Sequence, residues 1–302
     1  MDTSGALDWE LLLKRIKRKN CTPFIGAGAS ADYLPVGAEI AGKWAEAEDY
    51  PFPDATDLTR VAQYLAVIED PMSPKLRIID EINELLTQKP VPTPMPPDQP
   101  HSVLAALDLP IYLTTNYDGL MAQALRERGK DVKESICLWN DWIAKKQPDR
   151  FELTPDYRPT PEAPLVYHLH GHLEVPTSLV LTEDDYIDFL TSIGRKGDLL
   201  PPYIEESLTG SSMLFVGYRI LDANFRVLFR SLVNYMQDGL KLSHFSVQSA
   251  PRAETFSEEE RQRATNYLTR YFDRQLIAIF WGRSQEFAKE LGTRWRAAND
   301  GG

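Results

Sequence analysis

Two cysteines, five histidines and no long apolar run are the shortages of these 302 residues. Cys21 and Cys137 cannot build a four-cysteine zinc module, and so sparse a cysteine content reads as a reduced, cytoplasmic protein with no disulfide frame. No stretch of about 18 apolar residues exists, so no transmembrane helix is expected. The first 20 residues carry charges throughout, and no signal peptide is read there. Positive charge is also scarce. The 33 Lys and Arg against 44 Asp and Glu leave a net charge of -11, which argues against direct binding to nucleic acid, where clustered cations must meet phosphates. The one basic run, LLKRIKRKN at 12–20, reads as the solvated face of an N-terminal helix.

What is present is ordinary for a globular chain: 43% hydrophobic and 25% charged residues, enough to bury one sizeable core. Residues 1–302 read as a single domain with a helical excursion at about 50–100 and an irregular insert at about 130–162. The closing NDGG is compatible with a natural end and with a cut before a further domain.

Short apolar runs alternate with helical periodicity. CTPFI, LPIYLTT, PLVYHLHG, SSMLFV, LSHFSV and QLIAIFW read as strands, and SLVLT as a further short one. Helices are expected at VGAEIAGKWAEAED, at TDLTRVAQYLAVIED and SPKLRIIDEINELLTQK, at GLMAQALRER, at EDDYIDFLTSI capped by Thr182, and from Asp222 through DANFRVLFRSLVNYM. Others follow around 257–272 and 284–297. The proline-rich PVPTPMPPDQP marks the return from the helical excursion. The alternation predicts an α/β fold, a Rossmann-like, doubly wound, mostly parallel sheet with a smaller inserted helical lobe.

In such a sheet ligands bind at the carboxyl ends of the strands. Four apolar runs end in polar or glycine clusters: Gly26 to Ser30, Thr114 to Asp118, His170-Gly171 and Gly217-Tyr218. All four should share one rim. GAGAS suits close backbone approach and a phosphate held by free N–H groups, and it equally suits a plain tight turn. Asn116 and Asp118 read either as ligand contacts or as a turn and helix cap. Three histidines, His168, His170 and His172, alternate in YHLHGHLE. On one regular strand they would face one way, and a His-x-His pair is a sound metal arrangement. Gly171 interrupts that strand, and no second ligand cluster has obvious spacing, so a metal-dependent hydrolase using His168, His170 and His172 stands as an alternative.

FIGAGAS, YLTTNYD, HLHGHLEVPTSLVLTEDDY and LFVGYRILDANFRVLF, in this order, resemble the successive signatures of bacterial sirtuin-like NAD-hydrolase domains of the type found in anti-phage defence. They span most of residues 22–230. The resemblance implies a Rossmann-like domain that takes NAD as substrate between the sheet and the helical lobe. By motif, Gly26, Ala27, Gly28 and Ser30 would cradle the pyrophosphate. His170 of the His170-Gly171 pair would be the catalytic histidine. Asn116, flanked by Thr115, would sit beside the nicotinamide ribose, with Asp118 near the nicotinamide amide. Gly217 and Arg219 would lie toward the adenosine half, and Asp222 would cap the following helix. Two departures matter. The zinc module of the deacylases is missing, so no zinc is expected and protein deacylation is in doubt. Arg219 stands where the family carries a small hydroxyl residue.

The implied activity is NAD glycohydrolysis, regulated by oligomerisation or by an activating partner such as a HerA-type ATPase, an Argonaute-like protein or a sensor domain. The alternatives are a non-hydrolytic NAD or ADP-ribose sensor and an NAD-dependent deacylase or ADP-ribosyltransferase.

Overall fold

The structure, a computed structural model, describes residues 7–146, 148–195, 199–218, 242–249 and 257–300. The elements are α1 (Trp9–Lys17), β1 (Cys21–Ile25), α2 (Gly37–Ala47), α3 (Leu58–Ile68), α4 (Ser73–Gln88), α5 (Pro100–Ala105), β2 (Ile111–Thr114), α6 (Leu120–Glu127), β3 (Lys133–Ile136) and α7 (Asp141–Lys146). They continue with β4 (Leu165–His168), α8 (Glu183–Arg195), α9 (Pro202–Gly210), β5 (Ser212–Val216), β6 (His244–Gln248), α10 (Glu258–Asp273), β7 (Ile277–Trp281) and α11 (Ser284–Asp300). The helix expected from Asp222 lies outside the described residues.

The seven strands form one sheet in the order β3-β4-β2-β1-β5-β6-β7, and every pairing is parallel. Strand order reverses at β1 and β5, the switch point of a doubly wound fold. The apolar runs are continuous because both faces are covered. Alternate residues serve opposite sides: Ile25, Leu214 and Val216 pack under α2 to α6 and α11, while Phe24, Met213 and Phe215 pack against α8, α9 and α10.

The helical excursion, α3 and α4, is tied to the start of α8 by charge. Lys75 Nζ meets Asp185 Oδ1 at 2.7 Å with both side chains largely buried, and Arg60 meets Glu183 at 3.2 Å. Asp185 also accepts from the Leu181 and Thr182 N–H groups, while Thr182 Oγ1 accepts from Asp185 N at 3.1 Å. Thr182 thus caps α8 as its sequence context suggests.

Three readings need correction. SLVLT is not a strand: Pro176–Ser178 forms a 3-10 turn and 179–182 lead into α8 without ladder pairing. The insert at 130–162 is less irregular than expected, since it holds the edge strand β3 and the short α7. The strand read over PLVYHLHG is shorter than expected, because β4 ends at His168, before Gly171 turns the chain with φ +88°. Among the described residues no helix is long and apolar enough to cross a membrane.

Candidate active site

The four clusters do meet. At the carboxyl ends of β4, β2, β1 and β5 lies a cavity of about 1010 Å³, lined by Ala27, Gly28, Ser30, Thr115, Asn116, Asp118, His170 and Gly217 among others. That volume is at the upper end for small-molecule sites. The helical excursion, through α3 and α4, supplies the facing wall together with α2, and the start of α11 closes one end.

Asn116 anchors the centre. It is 8% exposed, and both hydrogens of its Nδ2 are engaged, to Gly26 O at 3.3 Å and to Ser30 Oγ at 3.1 Å. Ser30 Oγ in turn donates to Asp118 Oδ2 at 3.2 Å. What the Asn116 side chain has left to offer a ligand is therefore its acceptor, Oδ1. Asp118 does serve as a turn and cap, since its Oδ1 accepts from Leu120 N at 3.0 Å at the start of α6. It lines the cavity as well. Thr115 lines the cavity too, but its hydroxyl is committed to Tyr218 Oη, which itself donates to Ile25 O.

The glycines act mainly on each other. Gly217, with φ +86°, leaves no room for a side chain: a Cβ would stand 2.4 Å from Ala29 N and 2.5 Å from Gly26 O. Gly26 is similarly crowded by Gly217 O and the Tyr218 ring, and it does not line the cavity. The expectation that GAGAS offers a row of free N–H groups needs correction. Gly26 N donates to Val216 O, Gly28 N to Gly217 O, Ala29 N to Gly26 O and Ser30 N to Ala27 O. The segment folds as a 3-10 turn at Ala27–Ala29, and the next helix, α2, starts only at Gly37. The cavity wall instead includes Val36, Gly37 and Ala38, the amino end of α2; Val36 N donates to Glu39 Oε2 at 3.2 Å, and the first-turn N–H groups of Gly37 and Ala38 have no intrahelical acceptor. Sequence reading missed this end because no glycine motif marks it.

The histidines part company at the end of β4. His170 lines the cavity, is 5% exposed, and packs edge-on against Tyr186 and Phe189 with ring centroids 5.1 Å away in each case. Its Nδ1 lies 3.5 Å from Tyr186 Oη, and its Nε2 has no hydrogen-bond partner among the described residues. Burial pushes its pKa down to about 3, so the ring is neutral and holds a lone pair near neutral pH. Gly171 stands behind the wall, pressed against Ser178, where a Cβ would come within 2.3 Å of the carbonyl oxygen.

His168 and His172 face each other at 4.8 Å, away from the cavity, and Glu134 of β3 joins them. Their ligand atoms lie within 4.8 Å of one another, which makes this trio, and not the three histidines, the group that could hold a metal ion. Its charges fit a hydrogen-bonded cluster better. Arg126 and Arg150 already flank the Glu134 carboxylate, so a dication would bury two further positive charges beside two guanidinium groups. His172 Nδ1 accepts from Glu174 N at 3.2 Å, which puts the proton of the neutral ring on Nε2 and leaves neither nitrogen a free lone pair for a metal. Glu134 was invisible as a site residue, because a charged residue in an insert reads as surface. Arg219 and Asp222 lie outside the described residues.

These buried rings set a pH dependence. Burial lowers His170 and His172 to about 3 and His244 to about 4, and it lowers His101 as well. In the unfolded chain each titrates near 6.5, so the unfolded state binds more protons as pH falls. Stability is therefore complete above about pH 6.5 and declines as pH falls toward 4 and 3, by up to about 1.4 kcal/mol per pH unit for each such ring. Urea midpoints recorded from pH 8 to 4.5 should stay level to about pH 7 and then drop. A midpoint as high at pH 5 as at pH 7 would show that these rings are not buried as described.

Comparison with known proteins bears on this geometry. The model of the SIR2-like domain family matches residues 110–272, from β2 into α10. Proteins called NAD(+) hydrolase ThsA are similar over much of the chain. The one from Acinetobacter baumannii (strain 532279) is 24% identical over 308 residues, covering 95% of this chain and 56% of that protein. The one from Cytobacillus dafuensis is 31% identical over 245 residues, covering 78% and 43%, and that from Bacillus cereus (strain MSX-D12) is 29% identical over 221 residues, covering 70% and 39%. The chain thus spans about half the length of the curated relatives it matches.

Proposed function

The chain belongs to the SIR2-like family, and from that premise we propose that it is an NAD glycohydrolase, which splits NAD and water into nicotinamide and ADP-ribose. The observation that carries this reading is the convergence of neutral His170 and Asn116, from adjacent strands, on one dinucleotide-sized cavity.

The nicotinamide of NAD is a cationic leaving group. When the bond between C1′ and the ring nitrogen breaks, its electron pair neutralises the pyridinium, and positive charge collects on the ribose as in glycoside cleavage. A charged imidazolium beside that ribose would oppose the reaction, whereas the neutral His170 does not. As the water oxygen bonds to C1′, its proton passes to His170 Nε2, provided that Nδ1 keeps its own hydrogen and donates it to Tyr186 Oη. The positive charge thereby moves from the sugar to the imidazole. Asn116 Oδ1 accepts from a ribose hydroxyl or from the attacking water and holds it in line, adding no charge. Asp118 stands near the nicotinamide amide. Ala27, Gly28, Ser30 and the amino end of α2 face the pyrophosphate, and Gly217 the adenosine half. NAD is thus substrate and not resident cofactor, and the step as written involves no zinc.

The names of the relatives support the substrate. We assign the chain to a regulated, NAD-depleting role in anti-phage defence, in the cytoplasm, active as a homo-oligomer or with an activating partner. Product analysis tests the chemistry. NAD incubated with the protein should yield nicotinamide and ADP-ribose in equal amounts with no acceptor present. Nicotinamide release that requires an acylated or acceptor protein would point to a transferase or deacylase, and tight binding without products under every activating condition would point to a sensor.

A further inference from the structure

Glu134, His168 and the Asn116 carbonyl form a buried line from the edge of the sheet to the cavity wall. We propose that the Glu134–His168 pair is the positioning element that holds Asn116 in register. This rests on the role given to Asn116 above.

The ladder between β2 and β4 ends with Leu169 N donating to Thr114 O at 2.8 Å. Beyond it the chain of β2 turns sharply, with Asn116 N folding back onto Thr114 Oγ1 at 2.9 Å. The Asn116 carbonyl has therefore left the ladder, and a buried carbonyl without a partner costs about 1–3 kcal/mol. His168, the last residue of β4, supplies the partner: its Nδ1 lies 3.3 Å from Asn116 O. A carbonyl only accepts, so Nδ1 carries the hydrogen.

The other nitrogen faces the carboxylate. His168 Nε2 lies 3.5 Å from Glu134 Oε1, with the two side chains 1% and 3% exposed, a contact that pairs opposite charges when Nε2 carries a hydrogen as well as Nδ1. Glu134 pairs in register with Val166, two residues before His168 and on the same face of the strand, so the contact is a cross-strand diagonal. From the solvent side Arg126 and Arg150 grip Glu134 Oε2. The carboxylate is thus braced on both sides. His168 does not line the cavity and touches no proposed reacting atom; it acts through the backbone of Asn116, whose side chain bridges to Gly26 and Ser30.

Substitution tests this with a split readout. His168→Phe keeps the ring volume and removes the hydrogen bond to Asn116 O together with the contact to Glu134, and kcat for nicotinamide release should fall about 100-fold, the scale of a misplaced group, while the KM for NAD is unchanged. His168→Asn places an amide donor near the former Nδ1 and should restore most of kcat. Hydrogen exchange needs no turnover: the amides of 114–119 should lose protection in His168→Phe and keep it in His168→Asn. Should His168→Phe fail to fold, Glu134→Gln replaces it, with the same split at smaller amplitude. Full kcat in a folded His168→Phe, or unchanged exchange at 114–119, would overturn the proposal. So would stoichiometric zinc in the wild-type protein that is lost in His172→Ala, since the cluster would then be a metal centre. A wild type that is inactive under every activating condition, with the expected exchange pattern, would instead sink the glycohydrolase reading and leave the positioning role standing.

Discussion

His170→Ala should lose about 100- to 10,000-fold in the rate of nicotinamide release, the range for removing a general base, with NAD binding and fold retained. The ring already borders a cavity, so truncation enlarges existing space and does not hollow out a sealed core. Its contacts with Tyr186 and Phe189 are edge-on, and its Nε2 makes no hydrogen bond among the described residues that the variant would forfeit. Stability and activity should therefore separate at this position. His168 behaves differently, since removing it leaves both the Glu134 carboxylate and the Asn116 carbonyl short of a partner. Single-turnover rates alongside urea midpoints would resolve the two. A His170→Ala protein that turns over at the wild-type rate would remove this residue from the chemistry.

Gly217→Ala should damage fold and activity together. Left-handed backbone costs a residue with a Cβ about 1–2 kcal/mol, and forcing a methyl group into packed structure adds about 1–3 kcal/mol. The new methyl would meet Ala29 N and Gly26 O, which are backbone atoms with no rotamer to retreat into. The turn after β1 carries Ser30, the partner of Asn116, so a shift at this seam reaches the site. The loss in urea denaturation should be about 2–5 kcal/mol, with NAD turnover falling alongside. Gly42 of α2 is the internal control. A Cβ there meets nothing within 4 Å, so Gly42→Ala should stabilise the helix by about 0.5–1 kcal/mol and leave turnover alone. Equal stability of Gly217→Ala and the wild type would mean that the β1 and β5 turns do not meet as described.

The convergence on one rim was legible because it needs only topology. Parallel strands put their carboxyl ends together, and the runs ending at Ile25, Thr114, His168 and Val216 are apolar enough to read as strands. What escaped was carried by polar or short elements. KESI has no apolar run, yet it pairs with β4 over four residues and brings Glu134 inside. PHSVLA and PYIEESLTG begin with proline and are brief, so α5 and α9 leave little periodicity to find. Two of the GAGAS amides are filled from far along the chain, Gly26 N by Val216 O at the end of β5 and Gly28 N by Gly217 O, and no local pattern announces this, while Ala29 N and Ser30 N are filled inside the turn itself. Among the histidines, residue spacing suggested a shared face, and the end of the ladder at His168 separated them. Gly171 and the family resemblance already set His170 apart in the sequence, and the end of β4 at His168 is the structural reason for the separation.

Nicotinamide release from NAD with a chelator present, for the wild type beside His170→Ala and Asn116→Ala, tests the central claim most directly. Release by the wild type that is lost in both variants, each still folded and still binding NAD, is the expected result. Release that persists in either variant, or wild-type release abolished by the chelator, would contradict hydrolysis by His170 and Asn116 at this rim.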